Sequence, residues 1–291
     1  MGLPMAANLA KSFPNLVVWN RSDKKDALEA AVQSAGCKPV YASSPAEVVA
    51  NSEVTFSMLS TPEAVKSVFF EQDNAAIHGV SEGKSIVDCS TLQIEDMVQT
   101  DKAVREKNGA FLEAPVSGSK GPAEQGQLIF LCAGDENLYK SETVQTGLDL
   151  MGKRSFFLGP VGNGTKMKLV VNTLMATMLA ALGEGVVLAE ALDLSVPDLL
   201  EVLSLGAMNN PMYALKGPKM KYGVKGYETN FPLEHAQKDV RFAQALADDH
   251  GISMSVSGAA NEWYKAAKGL GLSRKDFAAV IESIRAASGK S

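Results

Sequence analysis

Between residues 16 and 158, short runs of β-branched and aromatic residues alternate with segments whose apolar positions recur every three or four residues. The runs predict strands at 16–20, 38–42, 54–59, 85–89, 111–113, 127–133 and 155–158. The segments between them predict helices at 23–35, 45–51, 62–70, 93–107 and 136–149. Several connections are too short for anything but a compact α/β layer, and the rhythm argues a parallel sheet covered by helices. The helix at 45–51 carries its own start signals: Ser44 as cap, Pro45 in the first turn and Glu47 at the capping-box position. After Gly164 the strand pattern stops, and helical periodicity covers 165–192, 196–205, 232–249, 253–268 and 273–286. The stretch 206–230, with Pro211, Pro218 and several glycines, reads as a loop-rich connection. The chain therefore divides into an α/β domain, 1–163, and a helical domain, 164–291, joined by a long helix. There is no internal repeat.

Composition narrows the class. In 291 residues, 46% apolar and 21% charged, there is enough apolar side chain for a packed core, which excludes disorder. A formal net charge of −5 gives no nucleic-acid footprint, so no nucleic-acid partner is expected. Cys37, Cys89 and Cys132 sit near apolar segments without ligand spacing, and the reading is buried thiols in a reducing compartment, with no metal site. The most apolar stretch, 169–183, is broken by Asn172, Thr173 and Thr177 and falls short of the roughly 18–20 residues that span a bilayer. A helix packed within protein is expected there, not a membrane anchor.

The chain opens on Met1-Gly2-Leu3-Pro4 and reaches Leu16-Val17-Val18-Trp19-Asn20-Arg21 within twenty residues. That is the second half of a dinucleotide-binding unit: a helix starting at a glycine, then a strand ending where a ribose is read. Gly2 stands as the third glycine of G-x-G-x-x-G, with the first strand and first two glycines absent. Strand ends that select the unphosphorylated cofactor usually carry a carboxylate. Here Asn20 is neutral, Arg21 offers a charge-assisted clamp for a 2′-phosphate and Ser22 adds a hydroxyl, so NADP is favoured over NAD. The segments that close the strands at 54–59 and 85–89, with Met58, Leu59 and Thr91, lie at carboxyl ends where a dinucleotide crosses a doubly wound sheet, though turn-forming composition accounts equally well for either loop.

Two segments propose chemistry. In Glu113-Ala114-Pro115-Val116-Ser117-Gly118-Ser119, proline stiffens the approach, Gly118 permits unusual dihedrals, and the serines offer hydroxyls and amides to a small carboxylate. A plain turn accounts for the same composition. In Gly159-x-x-Gly162-x-Gly164-x-x-x-Lys168-x-x-x-Asn172, the glycines would let backbone approach a nicotinamide, and Lys168 and Asn172 share one helical face. A lysine among Leu, Val and Met suits a proton donor to a carbonyl oxygen, with Asn172 orienting that oxygen. Lys166 is the rival on a different face, and a snorkelling lysine is the ordinary alternative. His235 is read as a structural or surface histidine. Lys238 could reach the cofactor and Phe231 could wall the substrate cavity.

These stretches, with Gly126-Gln127-Leu128-Ile129 and Gln237-Lys238-Asp239, resemble the β-hydroxyacid dehydrogenases, a 3-hydroxyisobutyrate dehydrogenase-like family. The likeness is strongest to the glyoxylate/succinic semialdehyde reductase branch and to the dehydrogenase domain of N-PAC. It implies an N-terminal Rossmann domain and an all-α C-terminal domain joined by the long helix, assembled as a homodimer or homotetramer. It also implies Lys168 as catalytic lysine and Asn172 as its substrate-holding companion. Ser117, Gly118 and Ser119 match the substrate-carboxylate loop, Thr91 and Lys238 cofactor contacts, and Phe231 and Asp239 the far wall of the site. Family members carry about ten more residues ahead of the position of Gly2, so the α/β domain is expected to lack its first strand. Weak NADPH binding or low stability is expected to follow. The expected reaction is NADPH-dependent reduction of small, carboxylate-bearing aldehydes. The alternatives are a 3-hydroxyisobutyrate dehydrogenase using NAD and a non-catalytic, N-PAC-like binding module. Cytoplasmic residence is the expectation, with organelle targeting left open.

Overall fold

A computed structural model describes residues 1–221 and 223–289; Tyr222, inside the predicted loop, lies outside the described residues. The chain forms two compact units, Met1–Lys168 and Leu169–Ser291.

The first unit opens with helix α1 (Gly2–Leu9), strand β1 (Val17–Val18), α2 (Lys25–Val32) and β2 (Val40–Tyr41). Then come α3 (Pro45–Ala50), β3 (Val54–Ser57), α4 (Pro62–Lys66), β4 (Ser85–Asp88), α5 (Ile94–Glu106) and β5 (Ala110–Glu113). It continues through β6 (Val116–Ser117), α6 (Lys120–Glu124), β7 (Leu128–Gly134), α7 (Glu136–Lys140), α8 (Glu142–Met151) and β8 (Gly152–Phe157). The strands form two sheets: β1 pairs only with β2, and the larger sheet runs β3-β4-β5-β7-β6, with β8 also on β7. This is a Rossmann-type layer without its first β-α-β unit: among the described residues no strand precedes β1, and none joins β1 to β3. The expected parallel sheet is corrected here to a mixed one. The β3–β4, β4–β5 and β7–β8 pairs are parallel, but β7 runs antiparallel to both β5 and β6.

Alternation along the central strands gives the sheet two covered faces. Val87 and Leu112 enter one apolar cluster with Met5 of α1 and Leu148 of α8. Ile86 and Phe111, their neighbours, enter another with Met97 and Val104 of α5. Each such buried Leu, Ile, Val or Phe side chain contributes about 1.5–3 kcal/mol. Where α8 crosses β3, Gly147 is needed, since a Cβ there would lie 2.7 Å from Cζ of Phe56. The start of α3 follows the sequence with one shift. The Glu47 amide donates to Ser44 Oγ at 3.2 Å, while the Glu47 carboxylate accepts from the amide and hydroxyl of Ser43, not Ser44.

Helix α9 (Asn163–Ala191) spans the division between units. By length and composition it could cross a membrane, yet half of its most apolar 18-residue window is buried. Its Ala176, Leu179, Val186 and Val187 belong to the core of the second unit with Tyr264, Phe277 and Ile281. That unit is completed by α10 (Val196–Leu205), α11 (Pro211–Lys221), α12 (Leu233–Asp249), α13 (Ser255–Gly269) and α14 (Val280–Ala287). Helix α11 corrects the predicted loop at 206–230. Its Gly217 serves packing rather than a turn, because a Cβ there would sit 2.5 Å from Cδ2 of Leu200.

Candidate active site

In the first unit the strand β1 leads to an exposed end at Asn20, Arg21 and Ser22. The Asn20 amide donates to the Ser22 carbonyl at 2.8 Å and to its hydroxyl at 3.1 Å, which orders the turn. Among the described residues nothing bonds the Arg21 guanidinium, so its donors stay available for an anion. Helix α1 begins at Gly2, where an added Cβ would stand 4.0 Å from Cβ of Met58, so Gly2 and the loop after β3 meet.

A buried carboxylate shapes the loops after β3 and β4. One Asp88 oxygen accepts from Ser57 Oγ at 2.9 Å, Ser90 Oγ at 2.6 Å and the Ser90 amide at 3.0 Å. Ser90 Oγ in turn accepts from the Leu59 amide at 2.9 Å, fixing Leu59 against the segment that carries Thr91. Burial pushes Asp88 above the usual carboxylate range, opposed by the serine donors. The sequence carries one sign of this role that the motifs do not include: Asp88 is a lone acid ending the apolar run Ile86-Val87, which must find partners once buried.

The carboxylate-binding candidates Ser117 and Ser119 are half-buried, and Gly118 is exposed. Neither serine hydroxyl bonds another described residue. Gly118 has φ +130°, and a Cβ there would lie 2.8 Å from Cδ2 of Leu128, so no other residue fits without strain.

Glu113 ends β5 and opens this motif, and the sequence alone gives it no further role. Its carboxylate is buried at the start of α9. Oε1 accepts from the amides of Gly162 at 2.5 Å and Gly164 at 3.0 Å. Oε2 accepts from the Thr165 amide at 3.2 Å and hydroxyl at 2.6 Å. Burial raises its pKa, and these donors pull it back. The glycines thus have an internal reason besides cofactor approach: a Cβ on Gly164 would lie 2.3 Å from the Leu131 carbonyl oxygen. One turn farther on, Lys168 is 6% exposed. Its rival Lys166 is exposed, its Nζ 3.2 Å from Asn163 Oδ1.

The second unit holds the other candidates. Asn172 is buried and donates to Asp239 Oδ2 at 2.6 Å. Lys238 Nζ lies 3.2 Å from Asp239 Oδ1 and 5.3 Å from the Phe242 ring centre. Phe231 packs edge-on against Phe277 at 5.5 Å, and the Asp276 carboxylate accepts from the Asn230 and Phe231 amides at 3.0 and 3.4 Å. Asp276 is neutralised by the buried Lys216, at 2.9 and 2.7 Å. His235 is half-buried 6.3 Å from Phe231, and burial followed by the Lys238 charge lowers its pKa. Among the described residues no group of His, Cys, Asp or Glu could hold a metal ion.

Comparison with known proteins follows the same division. Residues 1–159 match the family described as the NAD binding domain of 6-phosphogluconate dehydrogenase. Residues 162–284 match the NAD-binding domain of NADP-dependent 3-hydroxyisobutyrate dehydrogenase. Glyoxylate/succinic semialdehyde reductase 2, chloroplastic, of Arabidopsis thaliana is 49% identical over 99% of this chain and 77% of its own. Glyoxylate/succinic semialdehyde reductase 1 of the same plant is 45% identical over 98% and 95%. Among solved structures, 3-hydroxyisobutyrate dehydrogenase from Salmonella typhimurium shares the fold with a TM-score of 0.83 at 20% identity, covering 97% of this chain and 95% of that one.

Proposed function

The chain belongs to the 3-hydroxyisobutyrate dehydrogenase-like family of NAD(P)-binding oxidoreductases, and within it we propose an NADPH-dependent reductase of small aldehyde acids. That the chain is an NADP(H)-dependent oxidoreductase follows from the family; its likeness to two glyoxylate/succinic semialdehyde reductases supports glyoxylate and succinic semialdehyde as substrates. The observation that carries the reading is Lys168, buried one turn into a helix whose start is anchored by four hydrogen bonds to Glu113.

The residues at the sheet's carboxyl ends fit a phosphorylated dinucleotide. Arg21 has a guanidinium uncommitted among the described residues, Asn20 brings no charge to repel a 2′-phosphate, and Ser22 adds a hydroxyl. Gly2, Met58, Leu59 and Thr91 would hold the rest of it, with Lys238 a further contact. When bound, NADPH supplies the hydride that the carbonyl carbon takes up. The amides and hydroxyls of Ser117, Gly118 and Ser119 grip the substrate carboxylate. Lys168 gives the carbonyl oxygen its proton, leaving an alcohol and a neutral amine that solvent reprotonates. The family likeness assigns Asn172, which donates to Asp239, to the same oxygen, and Phe231 to the wall of the substrate cavity. Glyoxylate becomes glycolate, and succinic semialdehyde becomes 4-hydroxybutyrate.

Assay of the purified chain with NADPH and with NADH against glyoxylate, succinic semialdehyde and methylmalonate semialdehyde tests the reading. It requires higher kcat/KM for the first two with NADPH. Preference for methylmalonate semialdehyde with NADH would transfer the chain to 3-hydroxyisobutyrate metabolism.

A further inference from the structure

We propose that Glu113 is a positioning residue for this reaction, setting through the first turn of α9 where Lys168 stands; the proposal rests on the reading of Lys168 as proton donor.

A helix start ordinarily draws its cap from its own chain, a Ser, Thr, Asp or Asn one or two residues ahead. Helix α9 does not. Asn163 at its start spends its amide on the Leu158 carbonyl at 2.8 Å, and its carbonyl oxygen accepts from Lys166. The amides of Gly162, Gly164 and Thr165 are instead satisfied by a carboxylate from β5, some fifty residues earlier in the chain. Glu113 is fully buried, so its charge has no water to hold it and depends on these donors. A negative charge there also meets the positive end of a 29-residue helix.

The placement matters because of what each side of the contact carries. On the helix side, Lys168 follows Gly164 by one turn. A slip of one residue would move it about 1.5 Å along the axis and turn it by about 100°. On the strand side, Glu113 is followed within four residues by Ser117, and β6 holds that segment against Ile129 of β7. One carboxylate therefore binds the helix of the proton donor to the strand of the substrate loop. A displacement of about 1 Å at a reacting group can cost about a hundredfold in rate. Rigid joining of the two sides limits such displacement.

The backbone here is closely packed as well as hydrogen-bonded: a Cβ on Gly162 would lie 2.9 Å from Cγ2 of Ile94. Gly162 takes φ +98°, where L side chains are strained, and Gly164 faces the Leu131 carbonyl too closely for a Cβ. The segment 159–164 is glycine-rich backbone. Its glycines let the backbone amides come within hydrogen-bond distance of the Glu113 carboxylate where a side chain would not fit.

The test compares Glu113→Gln, Glu113→Asp and Thr165→Val with the parent chain and with Lys168→Met. The readouts are kcat, KM for glyoxylate, NADPH affinity by fluorescence, thermal midpoint, and hydrogen exchange of the peptide covering 159–168. Glu113→Gln, which turns an amide toward backbone donors, is expected to lower kcat by about ten- to a hundredfold. NADPH affinity should fall by far less than kcat, since Asn20, Arg21 and Ser22 at the end of β1 are untouched, and the 159–168 peptide should exchange faster. Glu113→Asp keeps the charge and should recover part of the loss; Thr165→Val removes one donor and should lose less than Glu113→Gln.

A purely structural role predicts a lower thermal midpoint with kcat unchanged at temperatures where the variant is folded. That result, or faster exchange without loss of kcat in any of the three variants, overturns the proposal. If Glu113→Gln does not fold, the Asp and Val variants decide by the same comparison. If Lys168→Met keeps its turnover, the lysine reading fails by itself. If Lys168→Met is inactive and the Glu113 variants are not impaired, only the positioning role fails.

Discussion

Asn172 donates to Asp239 over 2.6 Å between two buried side chains, joining α9 to α12 across 67 residues of sequence. The bond is charge-assisted and shielded from water, so removing its acceptor exposes a polar amide to a dry environment. Asp239→Ala should lower the unfolding free energy by about 1–3 kcal/mol in urea denaturation, and Asp239→Asn by less. Equal stability of Asp239→Ala and the parent would show that the bond is replaced by another partner.

Cofactor choice should turn on Arg21. A charge-assisted clamp on a phosphate contributes about 1.5–3 kcal/mol, which is about ten- to a hundredfold in affinity. Arg21→Ala should raise KM for NADPH by about that factor and leave KM for NADH nearly unchanged. A matched loss with both cofactors would mean that Arg21 supports the fold of the turn and does not read the phosphate.

Gly118 has no room for a methyl group and sits at φ +130°. Gly118→Ala should cost about 1–3 kcal/mol of stability through backbone strain. It should also raise KM for glyoxylate by about tenfold or more, with KM for NADPH little altered. Steady-state kinetics in both substrates separate the two effects, and an unchanged glyoxylate KM would remove the loop from substrate binding.

His235 gives a pH dependence. Burial, then the Lys238 charge, holds its pKa below the ordinary value of 6.5. As pH falls the unfolded chain therefore takes the proton first, so stability present above about 6.5 is lost as pH drops through the folded value. His235→Gln should flatten this part of the urea-denaturation profile between about pH 7 and pH 5. A parent and variant with parallel profiles would show that the ring is solvated in both states.

The sequence made the alternating elements legible because their signals are local. Helix α10 fills its predicted span, 196–205, where Ser195 caps it and Pro197 lies in the first turn. Helix α11 stayed hidden because its glycine and prolines look like breakers, whereas Pro211 opens the helix and Gly217 makes room for Leu200. The predicted helix at 136–149 is two helices because Ser141 both ends one and caps the next. The direction of β7 depends on pairing with residues about twenty positions away, which no local pattern records. In the site, the glycines and Lys168 were readable as a motif, and burial separates Lys168 from Lys166. The bonds of Glu113 to Gly162 and of Asp88 to Ser57 were not, since each joins distant segments and only the fold brings them together.

The central claim is that Lys168 delivers the proton. It is tested most directly by measuring kcat for glyoxylate reduction and NADPH affinity, side by side, in Lys168→Ala and the parent chain. General acid catalysis contributes about 10²–10⁴-fold, so kcat should fall by that much while NADPH affinity changes by less than about threefold. Turnover equal to the parent in a folded, NADPH-binding Lys168→Ala would contradict it.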